Sequence, residues 1–206
     1  MTYRAVVFDL GGVVFPSPFE AFDAYDAQAG LEPGTVRRLI RTSSETGAWA
    51  ALERGELTLV DFFAALEAEA REAGFHLDAQ VLLGGIGAKS GARPQMVRAI
   101  ERIRAEGLRT AALTNNWSPP DGVERGPLPM FDVVVESSVE GVRKPEPAIY
   151  ELVLERLDVK AYEAVFLDDL GINLRPAREL GMTTIKVTDA DAALDELAAV
   201  LGFPLT

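Results

Sequence analysis

The chain has 206 residues, 48% of them hydrophobic and 25% charged, so it is globular in composition and long enough to bury a core in one or two domains. Its 32 acidic side chains against 20 basic ones leave a net charge of −12, a field that repels nucleic acid and anionic membrane and requires local positive charge or a metal ion wherever an anion binds. The absence of Cys excludes disulfides, thiol nucleophiles and Cys-ligated zinc, and a single His argues against His-rich metal sites and a Ser-His-Asp triad.

The first element is an apolar run, Ala5 to Leu10, stopped by Gly11-Gly12. It reads as a strand buried on both faces, which belongs to a parallel sheet. Asp9 interrupts it too early for a signal peptide, and no stretch approaches the ~20 apolar residues that span a bilayer. A soluble, cytoplasmic protein is the expectation. Residues 16–92 carry helical periodicity without a strand, over Phe19–Ala29, Thr35–Ser44, Thr58–Ala73 and Asp78–Leu83. This block is expected to be a helical cap inserted after strand 1, with the glycines between Gly84 and Gly91 forming a hinged return to the core. Trp49 and Trp117 are candidates to line the pocket beneath it, Trp117 the better placed, and His76 reads as a surface or packing residue.

From there helices and strands alternate. Pro94–Glu106 is a helix with Pro94 in its first turn and Gly107 at its end. Strand 2 follows over Leu108–Thr114, a Pro- and Gly-rich loop over Ser118–Pro129, and strand 3 over Phe131–Glu136. A helix over Pro147–Leu157, strand 4 over Ala164–Asp168, a helix over Leu174–Leu180, strand 5 over Thr183–Val187 and a last helix over Asp189–Leu201 complete the chain. The pattern predicts an α/β fold: a doubly wound, Rossmann-like, five-stranded parallel core made of residues 1–15 and 93–206, with the cap over residues 16–92.

In such a sheet ligands sit beyond the C-terminal strand ends. Asp9, Thr114-Asn115 and Asp168-Asp169 lie at the tips of strands 1, 2 and 4, and Lys144 follows strand 3. Singly, Asp9 reads as a turn residue, Asp169 as a helix cap and Lys144 as a solvated charge. Together they suit a hard cation such as Mg²⁺, which prefers oxygen ligands, with one carboxylate left as a nucleophile toward phosphorus. Thr114, the Asn115 backbone and Lys144 would hold phosphoryl oxygens. Arg93, Arg143 and Arg175 are further cations able to assist an anion.

Four segments carry a family resemblance: Phe8-Asp9-Leu10-Gly11-Gly12-Val13-Val14, Leu113-Thr114-Asn115-Asn116, Arg143-Lys144-Pro145-Glu146-Pro147 and Phe166-Leu167-Asp168-Asp169. They resemble the four motifs of haloacid dehalogenase-like hydrolases, and most closely the branch containing the N-terminal phosphatase domain of soluble epoxide hydrolase. The resemblance implies Asp9 as nucleophile, Thr114 and Asn115 as phosphoryl binders and Lys144 as charge neutraliser. It implies Asp168, with Asp169 or Asn173, as Mg²⁺ ligands or their supports, and the backbone carbonyl of Gly11 as a further ligand. The implied substrate is a small phosphorylated molecule. One departure stands out, because most phosphatases of this superfamily carry a second Asp, a general acid and base, where this chain has Gly11. Its loss predicts a preference for good leaving groups and a long-lived aspartyl-phosphate. Two other readings stay open: a non-catalytic phosphate-binding or interaction module, and a haloacid dehalogenase, which needs no metal. The sequence assigns no oligomeric state.

Overall fold

The computed structural model describes residues 2–87, 91–119 and 128–205. Its centre is a five-stranded parallel sheet of β1 (Ala5–Phe8), β2 (Arg109–Thr114), β3 (Val133–Glu136), β4 (Ala164–Asp168) and β5 (Thr183–Lys186), in the order β3-β2-β1-β4-β5. The strand order reverses at β1, which pairs with β2 on one side and β4 on the other. That reversal opens a crevice at the C-terminal end of β1, the usual ligand position in an open α/β sheet.

The strands are apolar runs because both faces of the sheet are covered. Val6, Phe8, Ala112, Val165 and Leu167 point into a cluster with Met96, Ile100 and Ile103 of α6 (Pro94–Ala105) and Leu194 and Leu197 of α10 (Ala190–Leu201). Their neighbours Ala5, Val7, Ala111, Leu113 and Phe166 point the other way. These meet Ile149, Tyr150 and Val153 of α8 (Pro147–Leu157) and Leu174 and Ala177 of α9 (Gly171–Glu179). The alternation is the period-2 geometry of a strand acting on a continuous apolar run.

A third apolar cluster is built from the segment between β1 and α6. It contains α1 (Phe19–Ala29), α2 (Thr35–Thr46), α3 (Ala48–Glu53), α4 (Leu59–Glu72) and α5 (Ala79–Gly87), centred on Phe22, Trp49, Phe62 and Leu66. Buried Asp26 of α1 accepts the N–H groups of Gly34 and Val36 and so satisfies the first turn of α2. Trp117, from the loop after β2, packs into this cluster with its ring 6.1 Å from that of Trp49.

Three local expectations are corrected. Residues 48–53 form α3, which escapes a periodicity reading because Ala48, Trp49, Ala50, Leu52 and Glu53 are all buried in a six-residue helix, leaving no polar stripe. Gly84 to Gly87 complete α5 instead of beginning a loop. The helix expected from Leu174 starts at Gly171, which puts Pro176 beyond its first turn, where it removes one backbone donor. A four-residue helix, α7 (Ser137–Glu140), and a single 3-10 turn (Ala161–Glu163) are additional. Residues 88–90 of the expected hinge and 120–127 of the expected loop lie outside the described residues.

Candidate active site

Asp9, the first residue past β1, lies at the crevice. Its Oδ1 accepts the N–H of Leu10 at 2.7 Å and faces the Lys144 ammonium at 2.9 Å. Lys144 reaches the site from the loop after α7 and also touches Asp168 Oδ2 at 2.7 Å. The ammonium lies over the face of Phe166, 5.6 Å from the ring centroid. Asp168 closes β4 and is entirely buried, which is possible because every direction is answered. Lys144, the Leu170 N–H and the Asn173 side-chain amide all donate to it. Asn173 is itself fixed, its main-chain carbonyl accepting the Tyr150 hydroxyl.

Asp169 completes the cluster. Carboxylate oxygens of Asp9, Asp168 and Asp169 lie within 4.8 Å of one another. Gly12 makes this approach possible: it has φ +79°, and a Cβ there would run into the Asp169 carboxylate. Gly11 is different, because a Cβ on it would meet only Pro18 Cδ, at the ordinary contact distance of 3.6 Å.

Three carboxylates beside one ammonium crowd negative charge into a largely buried space. The protonation behaviour reflects that crowding. Burial pushes the Asp9 carboxyl up to about 8, Lys144 pulling it down and Asp168 adding to the rise. Asp169 is pushed up to about 6 by burial and by Asp168, against the pull of Lys144 and Arg93. Burial works against the Lys144 ammonium, yet Asp168 and Asp9 hold it above the ordinary lysine value, so it stays charged. A hard divalent cation supplies the missing charge and accepts an all-oxygen donor set, so the cluster fits Mg²⁺.

Thr114 ends β2 beside β1 and is buried. Asn115 follows, and its side chain is fully engaged. Oδ1 accepts the Lys144 N–H at 2.9 Å, while Nδ2 donates to the Lys144 carbonyl at 2.9 Å and to Glu53 Oε2 at 3.2 Å. It clamps the Lys144 main chain, so only the Asn115 backbone is left for phosphoryl contact. Asn116, absent from the expected set, ties the β2 and β3 ends together through Ser137, Ser138 and Glu136.

The sequence reading also missed Glu53. This buried carboxylate of α3 accepts Arg143 Nε at 2.6 Å and the Trp49 indole N–H at 2.9 Å, in addition to Asn115. Its one sequence signal is the four-residue spacing from Trp49, which puts indole and carboxylate on the same face of a helix. Arg143 also donates to the Ser44 carbonyl, so of the three candidate arginines it is buried and committed to α2 and α3. Arg175 is exposed and pairs with Glu179, whereas Arg93 bears on Asp169. A second pair, Arg54–Glu146 at 2.6 Å, joins the same two regions. His76 is exposed.

Residues 3–181 match the family model of haloacid dehalogenase-like hydrolases. The chain is 41% identical over 99% of its length to mouse acyl-CoA dehydrogenase family member 10, and 34% identical over its full length to pig bifunctional epoxide hydrolase 2. It spans only 20% and 40% of those two proteins. With the sesquiterpene phosphatase astK of Aspergillus oryzae it shares 30% identity over 98% of each chain. A solved HAD-family enzyme of Bacteroides thetaiotaomicron, bt-2542, in complex with magnesium and inorganic phosphate, superimposes with a TM-score of 0.64 over 89% of this chain and 93% of its own. At 18% identity that likeness is one of fold. With the sheet order, the cluster around Asp9 and the matched span in agreement, the chain belongs to the haloacid dehalogenase-like hydrolases.

Proposed function

We propose that the protein is a Mg²⁺-dependent phosphatase that hydrolyses small phosphomonoesters through an aspartyl-phosphate on Asp9. The observation that carries this reading is the cluster at the sheet's reversal point, in which Lys144 lies between buried Asp9 and Asp168 and the half-buried Asp169 brings a third carboxylate within 4.8 Å of theirs. The bound magnesium of bt-2542 and the phosphatase name of astK support the same chemistry. Asp9 and Asp169, with the Gly11 carbonyl, are the groups assigned to the ion. Asp168, saturated by Lys144 and Asn173, supports them from within the cluster. The ion would screen the phosphoryl charge from the carboxylates and stabilise the charge that builds on its oxygens.

Asp9 attacks phosphorus with a carboxylate oxygen, and the bond from phosphorus to the ester oxygen breaks with its electron pair leaving on that oxygen. Water then attacks the aspartyl-phosphate, the bond from phosphorus to the carboxylate oxygen breaks, the water's proton passes to solvent, and Asp9 is regenerated as inorganic phosphate leaves. Lys144 neutralises charge in both steps. Thr114 and the Asn115 backbone bind phosphoryl oxygens, and Trp117, packed against Trp49, borders the substrate's path. With Gly11 in place of an acid, the leaving oxygen is protonated by solvent. Substrates with good leaving groups, such as aryl or anomeric sugar phosphates, are therefore favoured over alkyl phosphates. The segment between β1 and α6 acts as a cap domain over residues 16–92.

The test is phosphate release from aryl, anomeric and alkyl phosphates, with Mg²⁺ and with chelator. Chelator-sensitive release that Asp9→Asn abolishes is the expected result. Folded protein that releases no phosphate, or that releases halide from a haloacid without metal, overturns the reading.

A further inference from the structure

Glu53 lies outside the motifs of the core, yet it touches two of their residues, Asn115 and Arg143. The connection runs in short steps. The Trp49 indole holds Glu53 Oε1 at 2.9 Å, and Glu53 Oε2 receives Arg143 at 2.6 Å and Asn115 Nδ2 at 3.2 Å. Asn115 in turn brackets Lys144, bonding both its N–H and its carbonyl at 2.9 Å. The far end of Lys144 is the ammonium between Asp9 and Asp168. Glu53, Arg143, Lys144, Asp9 and Asp168 are buried and Asn115 is half-buried, an environment where hydrogen bonds are strong and polarise one another. Glu53 is not a substitute for the acid missing at position 11, because its carboxylate is occupied by three donors, one of them a guanidinium.

We propose that Glu53 is a positioning residue: carried by α3, it holds Asn115 in the orientation that clamps the Lys144 main chain, and so sets where the ammonium lies against Asp9. The inference rests on the phosphatase reading for its catalytic consequence, but the geometric part stands apart from it. The consequence is a dependence of the phosphoryl site on the seating of α3. Displacing α3 withdraws the acceptor from Asn115 and so loosens the clamp on Lys144.

Removing Glu53 alone strands Arg143 as a buried unpaired charge, which destabilises the fold for an unrelated reason. The informative variant is therefore Glu53→Leu with Arg143→Met, because a buried ion pair exchanged for apolar side chains of similar volume is often tolerated. It should lower kcat by about 10–100-fold, the usual effect of losing a residue that orients a catalytic group, with KM changed less than about threefold. Glu53→Gln with Arg143→Met returns an amide oxygen to Asn115 and should recover most of that loss. Arg54→Gln, which breaks the other ion pair to the core without reaching Asn115, should leave kcat within about threefold of wild type. A readout independent of turnover comes from lysine-selective ¹⁵N labelling, since the lysines are only Lys89, Lys144, Lys160 and Lys186. The Lys144 amide, which donates to Asn115, should shift in the Leu/Met variant and return toward wild type in the Gln/Met one. An unmoved Lys144 amide overturns the proposal. So does a failure of the Gln variant to recover, or an equal loss of kcat in Arg54→Gln. If wild type releases no phosphate the phosphatase reading falls, and the amide shifts alone then decide the role of Glu53.

Discussion

Restoring the missing acid is the perturbation with the clearest expected size. In Gly11→Asp the new Cβ has room, since its nearest neighbour is Pro18 Cδ at 3.6 Å and the backbone does not occupy the left-handed region. The adjacent Gly12 is the opposite case, with φ +79° and no space beside Asp169. Filling position 11 therefore costs little in the fold, and a glycine replaced at a compatible conformation even gains roughly 0.4–1 kcal/mol through the unfolded chain. Proton donation to a leaving oxygen contributes ~10²–10⁴-fold, or about 3–5 kcal/mol of barrier. An alkyl oxygen needs that proton in the transition state, whereas a nitrophenolate leaves well without it. The expected outcome is a rise of at least tenfold in kcat/KM for glycerol phosphate, and a much smaller change for p-nitrophenyl phosphate, measured side by side with Mg²⁺. Dephosphorylation should quicken as well, seen as a shorter-lived phosphoenzyme in a quenched-flow experiment. An unchanged alkyl-to-aryl ratio, in a variant whose thermal midpoint matches wild type, refutes the role given to Gly11.

Gly12→Ala forces a side chain into left-handed backbone, at about 1–2 kcal/mol, and pushes the Asp169 carboxylate away. Urea unfolding should show the first effect, and calorimetric titration a 10–100-fold weaker Mg²⁺ affinity as the second. Asp132 gives a pH signature far from the site. Burial works to raise its carboxyl, but the Thr110 N–H and hydroxyl together with Arg104 hold it below the ordinary value. A depressed folded-state value means its stabilisation is complete above the unfolded value of about 3.9 and is lost as pH falls through the folded one. The stability gap between wild type and Asp132→Asn should thus be widest near neutral pH and close in acid, as read from unfolding midpoints. Finally, inorganic phosphate should bind only with Mg²⁺ present, because the carboxylates outnumber the ammonium and the whole chain carries a charge of −12. Equal phosphate affinity in chelator would contradict the charge argument.

What the sequence made legible, and what it hid, follows from the range of the interactions concerned. The strands were readable because burial on both faces leaves an uninterrupted apolar run, as in Ala5–Phe8 and Ala164–Asp168. The residues at their tips were readable because a parallel sheet brings every C-terminal end to one edge, and the order β2-β1-β4 then sets Asp9, Thr114 and Asp168 on adjacent strands. Gly11 stands two residues after Asp9 in the sequence itself, so the question of the acid could be posed there without a structure. The use of the Asn115 side chain was not, because its partners are the main-chain groups of Lys144, which look the same for any residue type. Glu53 was hidden twice over. Its helix is too short and too thoroughly buried to show a period, and its partner Arg143 lies 90 residues away. A carboxylate in an acidic chain reads as surface until a guanidinium is found against it. The same reasoning gives Arg143 its meaning: an arginine beside a lysine in a phosphoryl-type loop suggests anion binding, yet a cation already neutralised by a buried carboxylate has little charge left to offer a substrate. Under the proposed function the charge offered to a phosphoryl group therefore comes from Lys144 and the ion, with Arg93 bearing on Asp169, and Arg143 serves to hold α3 where Glu53 can reach Asn115.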